Sequence, residues 1–355
     1  MTDRLDRQSI GRHGLTVPLL GLGCGTLGDP TEAISEAQAE ATLAAAWDRG
    51  IRYFDTAPWY GNTKSEHRVG HFLRLKPRED YVISTKVGRV YFRPDDPVAF
   101  QASPWMKRWR GGLPFDLRFD YSRSGIMRAY EDSLMRLGLN RVDALVIHDL
   151  DLRHQRSENG IATALEALDH GGGYAALDAL RSAGEIKAIG VGINHVGMIP
   201  RFLERFEIDY FLVAMPYTLL DQPALDGEFQ LCAERGARVV IGAVFASGIL
   251  ATGAGADALY AYQPAEREVA ERVRRIEAVC RRHDVPLIAA ALQFPAAHPA
   301  VASVIPGANA PRQVNANVEA FERPIPEALW HDLKTDGLLR PDAPTPAARS
   351  ASGPH

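Results

Sequence analysis

The sequence predicts an α/β protein, a (β/α)8 TIM barrel with an N-terminal β-hairpin plug and a long loop after its third strand. Three observations lead there. The chain has 355 residues, room for one large barrel or for two or three domains of ~100–200 residues. Short apolar runs rich in β-branched residues recur at 18–23, 51–55, 81–86, 142–148, 186–191, 208–214, 238–244 and 301–305. They are continuous rather than alternating, as strands buried on both faces are. Helical patterns separate most of them, and eight such strand–helix units are the count of a barrel. A doubly wound nucleotide-binding sheet is the competing fold, invited by the opening GLGCGTLG, in which Gly23, Gly25 and Gly28 stand at GxGxxG spacing; the count of eight strand–helix units favours the barrel.

Taken in order, residues 7–17 read as a hairpin turning near Arg12-His13-Gly14, placed to plug the barrel floor. Residues 33–49 read as an Ala-rich helix stopped by Gly50 in the C′ position. Residues 90–122 show no convincing periodicity and carry Pro94, Pro97, Pro104 and Pro114 with Trp105 and Trp109. A loop of that length in a compact domain is usually functional or disordered, and the aromatics favour function. Residues 124–138 read as a helix with Ser124 as N-cap and Gly138 as stop. Residues 265–284 read as a long, charged amphipathic helix. The barrel domain is expected over 1–340, and the Pro/Ala/Ser-rich stretch 341–355 as a disordered tail.

Composition narrows the function. Forty Lys and Arg against 44 Asp and Glu leave a formal charge of −4, too little basic character for nucleic acid held by phosphate contacts. Only Cys24, Cys232 and Cys280 occur, with no CxxC pair, so neither a disulfide framework nor a zinc site is expected. No metal is expected. The charged N-terminus lacks the apolar core of a secretory signal, and no run reaches the ~20 apolar residues of a membrane span. The expectation is a cytoplasmic protein that binds neither nucleic acid nor membrane, as a monomer or homodimer.

Barrel chemistry sits at the carboxyl ends of strands. There the sequence places Asp55 after the second run, Tyr60 five residues on, Lys86 at the end of the third and His148 at the end of the fourth. A free Tyr, with a pKa of ~10, is a poor base near neutrality, and a nearby ammonium favours its phenolate. A carboxylate beside the Lys keeps that ammonium aimed, and an imidazole can orient a substrate oxygen. Singly, each has a structural reading: Asp55 a helix cap, Lys86 an exposed strand end, His148 a satisfied core histidine, Tyr60 a loop anchor on Pro58. Together, at one barrel mouth, they form a proton-transfer set.

The motifs LGLGCGTLG, FDTAPWYGNTKSEHRVG, ISTKVGR, EDSLMRLGLNRVDALVIHD, IKAIGVGIN and VASVIPGANAPRQVNAN run from about residue 10 to 320. In this order they resemble the aldo-keto reductase superfamily. The resemblance implies a catalytic tetrad of Asp55, Tyr60, Lys86 and His148, and metal-free hydride transfer with NAD(P)(H). It implies cofactor contacts from Asn194 to the carboxamide, Phe245 to the nicotinamide face, Gly307, Asn309 and Gln313 to the phosphate end, and Asn317 to adenine. The family's Ser before the Asn is replaced by Gly192-Ile193, and Ala214 stands where a Gln is usual. Relatives that prefer NADP place Arg or Lys where Gly307, Asn309 and Gln313 stand. Arg312 is the one basic residue there, which tilts the choice to NAD, with NADP possible.

Within the superfamily, FDYSRSGIMRAYEDSLMRLGL, VIHDLD, PYTLLDQ and LIAAALQFPAAHP resemble the aldose 1-dehydrogenases for L-fucose, D-threo-aldoses or L-galactose, and the pyridoxal 4-dehydrogenases. That branch implies oxidation of an anomeric hydroxyl to a lactone, with Trp59, Trp105, Trp109 and Asp149 around the sugar. Each Trp has packing of the loop as its alternative reading. The competing functions are pyridoxal oxidation, NADPH-dependent aldehyde reduction and a non-catalytic nicotinamide-binding subunit.

Overall fold

The structure is a computed structural model that describes residues 6–30, 32–103, 106, 108–261 and 263–347. The chain begins with β1 (Arg7–Ile10) and β2 (Leu15–Pro18), an antiparallel hairpin. There follow β3 (Leu22–Gly23), β4 (Tyr53–Asp55), β5 (Val82–Val87), β6 (Arg89–Phe92), β7 (Asp116–Phe119) and β8 (Ala144–His148). Then come β9 (Ala188–Ile193), β10 (Tyr210–Ala214), β11 (Arg238–Gly242), β12 (Leu259–Tyr260), β13 (Gln263–Pro264) and β14 (Val301–Val304).

Eight of these form one sheet in the order β14-β11-β10-β9-β8-β5-β4-β3, parallel at every pairing. Parallel bridges Leu20–Val304 and Gly23–Gly307 join the two ends, closing the barrel. All eight expected runs become barrel strands. The first is the shortest, and its backbone passes close to the end of β14: a Cβ on Gly23 would lie 2.7 Å from the Ile305 carbonyl oxygen.

The core has two layers. Inside the barrel, Tyr53, Val146, Tyr210, Leu212 and Val240 pack with Ile10, Leu15 and Val17 of the hairpin, so the hairpin does plug the floor. Outside, helices Glu36–Asp48, Arg123–Leu137 and Arg267–Arg282 bury their apolar faces in one outer core, the last of them against helices Leu287–Ala296 and Glu327–Thr335. Among the described residues no helix is long and apolar enough to cross a membrane.

Three local expectations change. The helix expected to start at Ser124 is capped by Ser122, whose Oγ accepts from the Gly125 amide while donating to Asp120 at 2.6 Å. Two serines at adjacent capping positions were equivalent by composition, and Asp120 selects between them. The stretch 90–122 is no plain loop: β6 and β7 pair as an antiparallel ribbon that frames its tip, and helix Pro97–Gln101 starts on an Asp96 cap. Most of β7 is only partly buried, so alternation is faint. Residues 341–347 of the expected tail are described and lie on the barrel, with Ala343 buried and Arg340 paired to Asp226 and Asp342. Residues 348–355 lie outside the described residues.

Candidate active site

Parallel register brings three strand ends to one mouth. Asp55 of β4 lies opposite Ser84 of β5, Lys86 of β5 opposite Val146 of β8, and His148 closes β8 opposite Gly192 of β9. Tyr60 stands on the turn after β4, whose amide bonds back to the Ala57 carbonyl at 3.2 Å. That turn is pressed onto the loop after β3: a Cβ on Gly28 would lie 2.5 Å from the Gly61 nitrogen.

Lys86 Nζ donates to Asp55 Oδ2 at 2.5 Å and to the Thr56 carbonyl at 2.8 Å. Ser84 Oγ donates to the other Asp55 oxygen at 2.7 Å. Both charged groups are almost wholly buried, and their pairing offsets the loss of water around each. The ammonium lies 4.8 Å from the Tyr60 ring centroid. The His148 ring meets Tyr60 edge-on, 6.1 Å between centroids. Burial pushes the His148 imidazole well below its ordinary pKa; Arg89, Lys86 and His154 push the same way, and Asp149 opposes them. His148 is therefore a neutral hydrogen-bonding group at neutral pH.

Trp59 and Trp109 are both buried and pack edge to face at 5.4 Å, with Trp109 6.3 Å from the Tyr60 ring. They make one wall beside Tyr60. Trp105 lies outside the described residues. The segment that carries Trp109 is strapped to the Tyr60 turn: the Leu113 amide donates to Gly61 O at 2.9 Å and Asn62 Nδ2 to Leu113 O at 3.2 Å. Lys64 Nζ bridges Gly111 O at 2.9 Å and Asp29 Oδ2 at 2.8 Å. Asp149 is buried and its carboxylate turns inward, to Arg89 and Asn194.

Asn194 follows β9, Phe245 lies half-buried on the loop after β11, and Gly307, Asn309, Gln313 and Asn317 surround the end of β14. Asn309 and Gln313 close a local ring, the Asn309 amide donating to Gln313 Oε1 at 2.8 Å. Asn317 is buried, its Nδ2 3.3 Å from Gly307 O. Helix Pro311–Glu322 begins at Ala310 with no side-chain cap. Pro311 has no N–H and the Gln313 amide donates to the Ala310 carbonyl at 3.0 Å, so the Arg312 amide is the part of this start turned to an anion, at the place where barrels bind phosphate.

Sequence reasoning missed two parts of the mouth. One is Arg89, two residues past β5, whose only local sign is its place next to Lys86. The other is the backbone around Phe245 on the loop after β11, where Ala243, Ala246, Ser247 and Gly248 all have positive φ. Successive left-handed residues gather amides into anion-binding concavities, and only the Ser247-Gly248 pair hints at it in the sequence.

A model described as the aldo/keto reductase family matches residues 19–335. The chain belongs to the aldo/keto reductase family. This aldo/keto reductase is 42% identical over 343 residues to the pyridoxal 4-dehydrogenase of Microbacterium luteolum, covering 94% of this chain and 98% of the relative. It is 39% identical over 344 residues to the D-threo-aldose 1-dehydrogenase of a Pseudomonas species, covering 94% and 97%. Among solved structures, a holo-form aldo-keto reductase from Bacillus halodurans superposes with a TM-score of 0.71 at 25% identity, covering 98% and 99%. Aldo-keto reductases are oxidoreductases that use nicotinamide nucleotides. The close Gly23–Gly307 backbone, the uncapped helix start and the loop after β11 suit the phosphate-bearing part of such a cofactor.

Proposed function

We propose that this aldo-keto reductase is a nicotinamide-dependent sugar dehydrogenase that oxidises the anomeric hydroxyl of an aldose of the L-fucose or D-threo type to a lactone. The observation that carries the reading is the placement of Tyr60 between the Asp55-anchored ammonium of Lys86 and the neutral imidazole of His148. His148 holds the hydroxyl oxygen. Tyr60 Oη takes its proton, because the ammonium beside the ring favours the phenolate. As the O–H electrons form the C1=O bond, the C1–H leaves as hydride. The nicotinamide cofactor, when bound, supplies the acceptor for that hydride.

Asn194, Phe245, Gly307, Asn309, Gln313 and Asn317 would hold the cofactor. NAD is the favoured form, because Asn309 Nδ2 is 2.9 Å from the Glu32 carboxylate and a 2′-phosphate there would meet a negative charge rather than a basic side chain. Trp59 and Trp109 supply an apolar wall for the sugar. Pyridoxal is the second reading, favoured by the 42% identity to a pyridoxal 4-dehydrogenase. Its aldehyde and neighbouring hydroxymethyl group close to a cyclic hemiacetal, so the same proton and hydride transfers apply. A monomer or homodimer in the cytoplasm remains the expected setting.

The test is the appearance of reduced nicotinamide with NAD+ or NADP+ against L-fucose, D-threo-aldoses, L-galactose and pyridoxal. Aldose turnover is expected, and turnover of pyridoxal alone selects the second reading. Tyr60→Phe is expected to keep its melting temperature and dinucleotide affinity and to lose about 10²–10⁴-fold in kcat. Wild-type turnover by Tyr60→Phe would sink the assignment of the base.

A further inference from the structure

Behind His148 lies a second charged group that the proton-transfer set does not include. Arg89, at the start of β6, is almost wholly buried. Its guanidinium carbon sits 4.3 Å from the Trp59 ring centroid and 4.9 Å from that of Phe119. One Nη donates to Asp149 Oδ2, and among the described residues no other acidic side chain pairs with it. The aromatic faces hold the cation without neutralising it, so its charge is directed at one carboxylate.

That carboxylate is a hub. Asp149 has left-handed backbone, φ 54°, which folds it back under the strand end. Oδ2 also lies 3.5 Å from His148 Nε2 and 3.4 Å from His154 Nε2. Oδ1 accepts from Asn194 Nδ2 at 3.1 Å, and the same Nδ2 donates to Asp151 at 3.0 Å. Both amide hydrogens of Asn194 are thereby used on carboxylates, which leaves its Oδ1 as the acceptor. One carboxylate thus touches the residue that faces substrate and the residue placed to face the cofactor.

We propose that Arg89 is a positioning residue: by pairing with Asp149 it keeps that carboxylate from capturing the His148 imidazole, and so leaves Nε2 to the substrate oxygen. The proposal rests on the dehydrogenase reading given above. The physical argument concerns competition for one proton. A protonated His148 beside an unpaired carboxylate would form a buried ion pair with it, turning Nε2–H away from substrate. The charged groups around the imidazole are Asp149 from its own strand end, Arg89 from β6, Lys86 from β5 and His154 from the short helix Leu152–Gln155. Tyr60 lies against its edge. Asp151 faces His154 and Asn194, with His154 Nδ1 at 2.8 Å. Of these, Arg89 is the cation in direct contact with Asp149. Its removal leaves the carboxylate to raise the proton affinity of His148, and the ring takes its proton at higher pH.

The experiment follows kcat/KM against pH in wild type, Arg89→Met and Arg89→Lys, with the His148 ring titrated by NMR without substrate. The His148 signal is assigned by its loss in His148→Gln. Expected is an imidazole titration that moves up by about one pH unit or more in Arg89→Met and stays in place in Arg89→Lys, with kcat/KM at the low-pH end falling in the Met variant alone. The wild-type ring is expected to be neutral at pH 6, where a free imidazole with a pKa of ~6.5 is mostly charged. A folded Arg89→Met with an unmoved imidazole titration, or an equal shift in Arg89→Lys, overturns the proposal. So does a protonated wild-type ring at pH 6, a measurement that needs no variant of Arg89 to fold. The dehydrogenase reading fails separately, by a wild type that forms no reduced nicotinamide with any of the aldoses or with pyridoxal.

Discussion

Lys86 spends two of its donors on Asp55 and Thr56 and turns its charge to the Tyr60 ring. Replacing it with Met keeps the length of the chain and removes the charge. Without the ammonium, the phenol returns toward its free pKa of ~10, so the pH at which phenolate becomes available rises. Lys86→Met is therefore expected to move the rising limb of the kcat profile to higher pH as well as to slow turnover. A lower rate on an unmoved profile would mean that Lys86 serves binding alone. At the proposed phosphate end of the site, Asn309 bonds to Glu32. Asn309→Arg is expected to raise kcat/KM for NADP+ relative to NAD+, since a guanidinium binds phosphate bidentately and an amide cannot. Dissociation constants from fluorescence quenching check the same ratio without turnover. A wild type that already prefers NADP+ would point to Arg312 instead.

The ribbon of β6 and β7 changes how the long segment after Lys86 is understood. Its strands hold the segment's two ends together, and the strap from Trp109 to Leu113 is bonded to the Tyr60 turn and to Asp29. Lys64 is the tie with the most partners: it sits between Asp29 and Gly111 and is only slightly exposed. Lys64→Met removes the tie from the Gly111 carbonyl while leaving the strands untouched. The expected result is a KM for substrate raised about tenfold, in line with the loss of a charge-assisted hydrogen bond of about 1.5–3 kcal/mol, with the Kd for dinucleotide little changed. Equal losses in both constants would mean that the strap supports the whole mouth rather than the Trp109 wall. The Asp29 carboxylate is shared with the buried Arg68 at 2.6 Å, so the barrel side of the tie is rigid.

At the scale of the molecule, the barrel is filled from below by the hairpin. Ile10 is fully buried among inward side chains of the strands, far from the carboxyl-end mouth. Ile10→Ala is expected to cost about 2–5 kcal/mol of stability through lost burial and a cavity, read as a lower melting temperature. kcat and KM below that temperature should stay at wild-type values. A loss of activity in the folded variant would show that the plug shapes the mouth through the strands. The opposite face gathers every expected site residue the structure describes, which is the usual division of a barrel into a stability end and a chemistry end.

The barrel itself was legible because its strands are buried on both faces, so that each is a continuous apolar run. Asp55, Lys86 and His148 were legible for the same reason: a polar residue closing such a run must sit at a strand end. Sequence also placed the hairpin plug, since its turn and apolar positions are local. It could not distinguish Ser122 from Ser124 as a cap, because the choice is made by Asp120 folding over the helix start. It left the β6–β7 ribbon unseen, since Arg89 and Phe119 pair across a long intervening segment and the half-buried β7 lacks a clear period. Arg89 and the inward turn of Asp149 escaped it too. Charged residues read as surface until tertiary structure buries them, and which carboxylate a guanidinium meets depends on strands distant in sequence. The residue types at the mouth follow from short-range pattern; their pairing, protonation and aim follow from long-range packing.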